Sequence, residues 1–338
     1  MAFYHWLNRY KDREKNPEKA KWIAEHLLKL RADLAESKLG DREPNSLVIG
    51  SWNIRAFDDG KPRRDESFHY IAEIIGHFDV CAIQEVKEDL EPLNKLKTLL
   101  GPNWSYIVTD VTEGSKGNTE RQAFFFNTNK VFFRNLVGEV VLPPEALLEH
   151  GQIARTPFFA SFQAGWFKFT LMSVHIIFGG STKKKKKMRA AEVEILAKLA
   201  AKRAKKEGQV YVLIGDMNIE SRDDEIMAGL KKHGLFAPLF GATNLKGTKH
   251  YDQIAFTGEK SRTRCLQSGS VDWRTAVYRP DEKDHYEPIA LEARGGEPYK
   301  NWDKDYEKFF ASFEMSDHLP IWVEMEIDYS NEYLKRFI

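Results

Sequence analysis

QVYVLIGDMN, residues 209–218, runs through β-branched and aromatic residues and then stops on an acid and an amide two positions apart. The apolar part is of strand length and has the texture of a buried strand. In a strand, positions two apart point the same way, so Asp216 and Asn218 are expected to face one side together. Taken alone, the pair is best read as an Asx turn closing a strand. Whether it is more depends on what else in the chain ends in the same manner.

Six other stretches have the same texture: SLVIGSWNI (46–54), DVCAIQEV (79–86), RQAFFFN (121–127), KFTLMSVHII (168–177), YDQIAF (251–256) and LPIWVEMEI (319–327). Between them, RDESFHYIAEIIGHF (64–78), EDLEPLNKLKTLLG (88–101) and KKKKKMRAAEVEILAKLAAKRAKKEG (183–208) carry helical periodicity, the last closed by Gly208. Strands and helices mixed in this way imply an α/β layered domain. No internal repeat is present, and the one low-complexity segment is the lysine run 183–187.

Before the strands, residues 16–40 read as one helix, capped by Asn16 and ended by Gly40, with Ala20, Ile23, Leu27, Leu30 and Leu34 along one face. That stripe needs a cover. Packing on the domain behind it is the plain reading, and pairing with a second subunit or a protein partner is the sharper one. The expected layout is a helical extension over 1–45, the main domain over 46–328 with an aromatic-rich insertion at about 269–313, and a tail over 329–338.

With 338 residues, 42% apolar and 30% charged, this is the composition of an ordinary globular chain. Lys and Arg total 51 against 50 Asp and Glu, a formal charge of +1, so a polyanion has to be held by a local basic patch. Cys81 and Cys265 form neither a CxxC spacing nor a disulfide framework. The first residues turn charged too early for a signal peptide, and no apolar stretch is long enough to span a bilayer. A cytoplasmic address is the default expectation.

Polar residues collect at the strand ends. Asn53, Glu85, His175, Asp216 and Asn218 close strands, Asp252 opens one, and Asp317 and His318 precede the last. Each has a dull explanation as a turn, cap or surface residue. Together they offer hard oxygen ligands for Mg²⁺ or Ca²⁺ and imidazoles for proton transfer, the inventory of phosphoester hydrolysis. Zinc is a poor fit, because no clustered Cys/His set occurs.

SWNIR (51–55), IQEV (83–86), SVH (173–175), GDMN (215–218), YDQI (251–254) and SDHLP (316–320) also resemble, in order, the motifs of the endonuclease/exonuclease/phosphatase superfamily, in particular its deoxyribonuclease I branch. The likeness runs from about Ser46 to Glu326. It implies a four-layer αββα sandwich of two packed mixed β-sheets and metal-dependent cleavage of phosphodiesters. TERQAFFFNTNKV (119–131) resembles the segment in which a Glu supports a catalytic His, here Glu120 behind His175. ARTPFF (154–159) resembles the segment whose Arg touches backbone phosphate, here Arg155. Gln122 stands where that branch carries Tyr, and the paired cysteines of its secreted members are absent, in keeping with a reducing compartment.

The implied mechanism gives Glu85 and Asn53 one Mg²⁺, with Asp317 in reach or through water, and Mn²⁺ or Ca²⁺ as substitutes. His318, oriented by Asp252, takes the proton of the attacking water, and His175, oriented by Glu120, protonates the leaving oxygen, or the two roles are reversed. Asn218 donates to the phosphate, and Asp216 lies near the metal or nucleophile. Lys183, Lys184 and Lys185, with Arg189, are candidates to grip flanking phosphates, against the plain reading of a solvated helix face. Arg262 and Arg264 are weaker candidates of the same kind.

DNA is favoured over RNA as substrate. An abasic-site endonuclease typically carries Tyr at the place of His175. An inositol polyphosphate 5-phosphatase typically shows Trp before GDxN and Asp-Arg for YDQI. A sphingomyelinase-like phosphodiesterase shares the core residues and differs in needing an exposed apolar hairpin. A non-catalytic binding module would have lost a catalytic position, and here every one is filled.

Overall fold

Alternation along each strand sorts the apolar side chains into separate cores. In the computed structural model, which describes residues 2–57, 62–111, 119–149, 151–258 and 263–338, β1 (Ser46–Phe57) sends Leu47 and Ile49 to one core and Val48 and Trp52 to another. Arg262 lies outside the described residues.

Ten further strands follow: β2 (Val80–Val86), β3 (Trp104–Val108), β4 (Arg121–Asn127), β5 (Phe132–Glu139), β6 (Phe158–Ala164), β7 (Phe167–His175), β8 (Val210–Asp216), β9 (Asp252–Phe256), β10 (Cys265–Ser270) and β11 (Ile321–Glu326). One sheet has the order β10-β11-β1-β2-β4-β3 and the other β5-β6-β7-β8-β9. Both are mixed, since β1 and β2 are parallel, as are β7 and β8, while the other neighbours are antiparallel.

Three cores account for the layers. Leu47, Ile49, Phe124, Leu171, Ile214, Ile254 and Val323 meet between the sheets. On the outer face of the first sheet, Val48, Trp52, Cys81 and Phe125 pack with α1 (Pro17–Glu36), α2 (Asp65–Ile75) and α3 (Glu91–Leu100). On the outer face of the second, Met172, Val174 and Leu213 pack with α4 (Lys183–Glu207) and α5 (Glu225–Lys232). This is the four-layer αββα sandwich that the resemblance implies.

The N-terminal stripe is covered by the chain itself, as the plain reading had it. Ile23, Leu27, Leu30 and Leu34 are buried in the outer core of the first sheet, so that face is not open to a partner. The Asn16 cap forms, accepting from the Lys19 N–H at 3.0 Å. The helix stops at Glu36 rather than Gly40: Ser37 turns extended at ψ 167°, and its Oγ donates to Leu34 O at 2.7 Å, the carbonyl that a further helical turn would use. Gly40 comes after that turn and lies so close to Ala35 that a β-carbon would sit 2.2 Å from its carbonyl oxygen.

The aromatic-rich insertion packs on the same helix and contains α6 (Lys283–Ala293), which carries Pro288 in its interior. Trp22 stacks on His285 with centroids 3.8 Å apart, and His26 Nε2 lies 2.9 Å from Glu282 Oε1. Four strands escaped the sequence reading: β3, β5, β6 and β10. β5 is an edge strand with much of its surface in solvent, so its residues carry no one-sided pattern.

Glu314 anchors the insertion to α2. Its Oε2 accepts from Ser67 Oγ at 2.5 Å and from the Arg64 N–H at 3.0 Å. Burial pushes its pKa up to about 7, Ser67 and Arg64 pulling the other way and Glu66 adding to the rise. Because the folded value exceeds the unfolded one, stability is full below the unfolded pKa and falls as pH rises towards 7. Glu314→Gln is therefore expected to match wild type in urea unfolding at pH 4.5 and to exceed it by up to about 3 kcal/mol at pH 8. An equal difference at both pH values would contradict this.

Candidate active site

The layer between the sheets is apolar along most of its length and polar at one end. Along β7 the inward residues run Phe169, Leu171, Ser173, His175; along β8 they run Val210, Val212, Ile214, Asp216; β9 enters with Asp252 ahead of Ile254 and Phe256. Register aligns these ends, His175 opposite Asp216 and Asp216 opposite Asp252. From the facing sheet, Asn53 of β1 pairs in register with Gln84 of β2. Asn53 Nδ2 crosses the layer to donate to Asp216 Oδ2 at 3.1 Å, and Gln84 Nε2 donates to Ser173 Oγ at 3.1 Å.

Glu85 reaches this layer by a backbone irregularity. Strict alternation would send it to the outer face with Cys81 and Ile83. Instead Glu85 has φ 62° and Ala56 φ 45°, beside a register shift between Asn53 and Phe57. The Ala56 N–H donates to Glu85 Oε2 at 2.9 Å, and Glu85 Oε1 lies 3.8 Å from His175 Nε2. A left-handed backbone at a non-glycine residue is costly and persists only where its surroundings enforce it.

Two histidines point at one carboxylate. His175 Nδ1 is 2.8 Å from Glu120 Oε2, and His318 Nδ1 is 2.8 Å from Asp252 Oδ2. His318 Nδ1 is hydrogen-bonded to Asp252 and His175 Nδ1 meets Glu120 at ion-pair distance, which leaves the Nε2 atoms turned inward, 3.6 Å and 3.8 Å from the same Asp216 Oδ2. Burial works against a charge on His318, yet Asp252 and Asp216 outweigh it and hold its pKa well above the usual imidazole range. Burial pushes Asp216 up to about 6, the Asp252 charge adding to the rise and the two imidazoles opposing it. For Glu85, burial opposes ionisation but the facing His175 prevails and lowers its pKa.

Other expected residues land differently. The two-residue alternation does not extend to Asn218, because β8 ends at Asp216 and Asn218 turns left-handed at φ 51°. Its N–H donates to Asp216 Oδ1 at 2.8 Å and its amide to Ile176 O at 2.7 Å, joining the ends of β7 and β8. Arg155 is turned to Glu120, with Nε 3.1 Å from Oε2 and the second contact at 3.2 Å. Arg189 is buried, donating to Phe178 O, to Gly180 O at 2.8 Å and to Glu220. Lys183, Lys184 and Lys185 are exposed at the start of α4, and Asp317 is exposed beside His318.

Three contributors were missed. Lys87 Nζ stands 3.8 Å from Glu120 Oε1, Tyr251 has its ring 5.6 Å from that of His318, and Gln84 braces the sheets. Gln84 and Tyr251 sit inside the IQEV and YDQI motifs, so their motif membership was the available signal.

Hard oxygen donors are present for a divalent cation. Asn53 Oδ1 is buried without a hydrogen-bond partner among the described residues, and the ionised Glu85 carboxylate approaches from the adjacent strand. A second set, Asp216, Asp252 and His318, offers ligand atoms within 4.8 Å of one another. In that set Asp252 and His318 already satisfy each other, which favours the first. No helix among the described residues is long and apolar enough to cross a membrane.

Known proteins similar to this chain bear on its family and fold. Horse (Equus caballus) deoxyribonuclease-1 is 33% identical over 90 residues, 25% of this chain and 32% of that enzyme, so the alignment spans about a third of the relative's length. An endonuclease/exonuclease/phosphatase family protein from Bacteroides thetaiotaomicron superposes with TM-score 0.57 at 18% identity, over 85% of this chain and 100% of that one. A mannosyl-6-phosphatase from the same organism superposes with TM-score 0.55 at 17% identity, over 83% and 99%. The profile of the Endonuclease/Exonuclease/phosphatase family matches residues 50–280, more than half of the chain. With the sandwich, the motifs and that match in accord, the chain belongs to the endonuclease/exonuclease/phosphatase family.

Proposed function

We propose that this chain is a divalent-cation-dependent phosphodiesterase acting on nucleic-acid backbone, with DNA the favoured substrate. One observation carries the reading: two imidazoles, each with a carboxylate at 2.8 Å from its Nδ1, present their Nε2 atoms to one point, His175 from the end of β7 and His318 from the segment before β11. An acid and a base facing each other across a polar cleft suit a reaction in which one proton is taken and another given.

In this reading a phosphodiester lies between the histidines. One histidine takes the proton of the attacking water and the other protonates the leaving oxygen; the raised pKa of His318, set by Asp252 and Asp216, favours it as the acid, and His175, with Glu120 behind it, as the base. Glu120 is itself held by Arg155 and Lys87, so the His175 ring is seated by a small charged cluster. Asp216 orients the water between the two Nε2 atoms, and Asn218 steadies Asp216 through its backbone N–H. Glu85 and Asn53 would hold Mg²⁺, with Mn²⁺ or Ca²⁺ as replacements, and Asp317, exposed beside His318, would contribute through water. The cation supplies charge neutralisation at the non-bridging phosphoryl oxygens.

The test is an assay of purified protein on plasmid DNA, RNA, an abasic duplex, sphingomyelin and an inositol phosphate, with and without Mg²⁺. Hydrolysis of DNA that stops on chelation and returns with Mg²⁺ is expected. Activity confined to the lipid would replace the substrate assignment, and activity that survives exhaustive chelation would end the cation requirement.

A further inference from the structure

The first turn of α4 is built against its own helix dipole. Lys183 to Lys187 occupy it with no acidic residue in that turn, although the N-terminal end carries partial positive charge. Thr182 supplies the cap, accepting from the Lys185 N–H at 3.4 Å, but no side chain offsets the charge as a whole.

Not all five lysines are equally available. Lys186 pairs with Glu220 at 2.8 Å, and Glu220 also takes Lys249 at 3.4 Å and Arg189. The cavity lined by Lys183, Lys186 and Lys249 is also lined by Glu220, Asp223, Asp224 and Glu225, so carboxylates outnumber the lysines there and an anion gains little by entering. Lys184, Lys185 and Lys187 remain. All three are exposed, and none has an ion-pair partner among the described residues.

Their place in the fold matters more than their number. β7 and β8 are parallel neighbours, so α4 returns antiparallel to both and its first turn stands at the edge that carries His175 and Asp216. Lys185 lies across the loop that leads from His175, where a β-carbon on Gly179 would come within 3.3 Å of its Cδ.

We propose that Lys184, Lys185 and Lys187 form a rail for the phosphate backbone along the rim of the cleft, so that the substrate is a polyanion extending well beyond the bond that is cut. This rests on the phosphodiesterase reading above and adds to it how the substrate is held. The chain has a net charge of only +1, so attraction comes from this rail and not from a general field. Rail contacts release counterions, which makes binding strongly dependent on salt.

The experiment measures binding of the full chain to a fluorescent DNA duplex by anisotropy, in EDTA, over a range of NaCl concentrations. Lys184→Gln/Lys185→Gln/Lys187→Gln is compared with wild type and with a control, Lys202→Gln/Lys205→Gln/Lys206→Gln. The control removes equal charge from exposed positions near the other end of α4, roughly 27 Å away at 1.5 Å per residue and beyond a Debye length. The rail variant is expected to flatten the slope of log K against log salt by about 0.9 for each lost phosphate contact, hence by about two to three, and the control to leave it unchanged. An unflattened slope in the rail variant, an equal flattening in the control, or no DNA binding by wild type would each overturn the rail. Hydrolysis of bis(4-nitrophenyl) phosphate by the wild-type chain is measured separately. Its absence counts against the phosphodiesterase reading, whereas a lost rail with hydrolysis intact counts against this inference alone.

Discussion

Replacing His318 with alanine is expected to lower turnover by about two to four orders of magnitude while the chain remains folded, the usual range for a lost general acid or base. The backbone at this position is held without help from the imidazole. Trp52 Nε1 donates to His318 O at 2.9 Å, and the His318 N–H donates to Ser316 Oγ at 3.0 Å. What the substitution removes is the ring between Asp252 and Asp216. It also leaves Asp252, 1% exposed, without its partner. His318→Ala/Asp252→Asn therefore belongs beside it, since any stability lost to an unpaired buried carboxylate should return there while turnover stays low. Steady-state rates on a phosphodiester and urea unfolding of both variants make the comparison. Wild-type turnover in a folded His318→Ala chain would remove this histidine from the chemistry.

Asp216→Asn is expected to separate activity from stability. The native carboxylate is buried, faces both histidine Nε2 atoms, and has its pKa pushed up to about 6 because water cannot reach it. Neutral asparagine keeps the acceptor used by the Asn218 N–H and takes away a charge that is costly to bury. The folded state should therefore change little in stability at pH 7, because the charge no longer buried is offset by the acceptor lost to Asn53 Nδ2 and the counter-charge lost to His318. Turnover is expected to fall by about two orders of magnitude or more, as when a preorganised group aimed at the reacting centre is lost. A variant both less stable and fully active would show that Asp216 braces the sheets and takes no part in the reaction.

The fold was largely legible in the sequence because it follows from local period. Seven apolar runs became seven strands with ends within a few residues of those expected, and the three internal helices formed where periodicity placed them. Gly208 closes α4 in the left-handed conformation at φ 64° that the stop signal implies. β5, lying in solvent at a sheet edge, has no buried face to impress a pattern on its residues, and β3 is only five residues long.

By itself the sequence determined which residues are available at the strand ends, and their chemical types. An acid, an amide and an imidazole that close buried strands are placed by period two, which needs no knowledge of neighbours. Only the tertiary structure decided which of them meet. Glu85 enters the cleft through a left-handed backbone that alternation does not foresee, while Asn218 leaves the strand and links two of them. Arg155 is drawn to Glu120, and Arg189 is buried under the loop that precedes α4. The reason is physical: periodicity is a property of neighbouring residues, whereas a charge pairs with whatever the register of distant strands brings within a few ångströms, and that register is set by the packing of the whole sandwich.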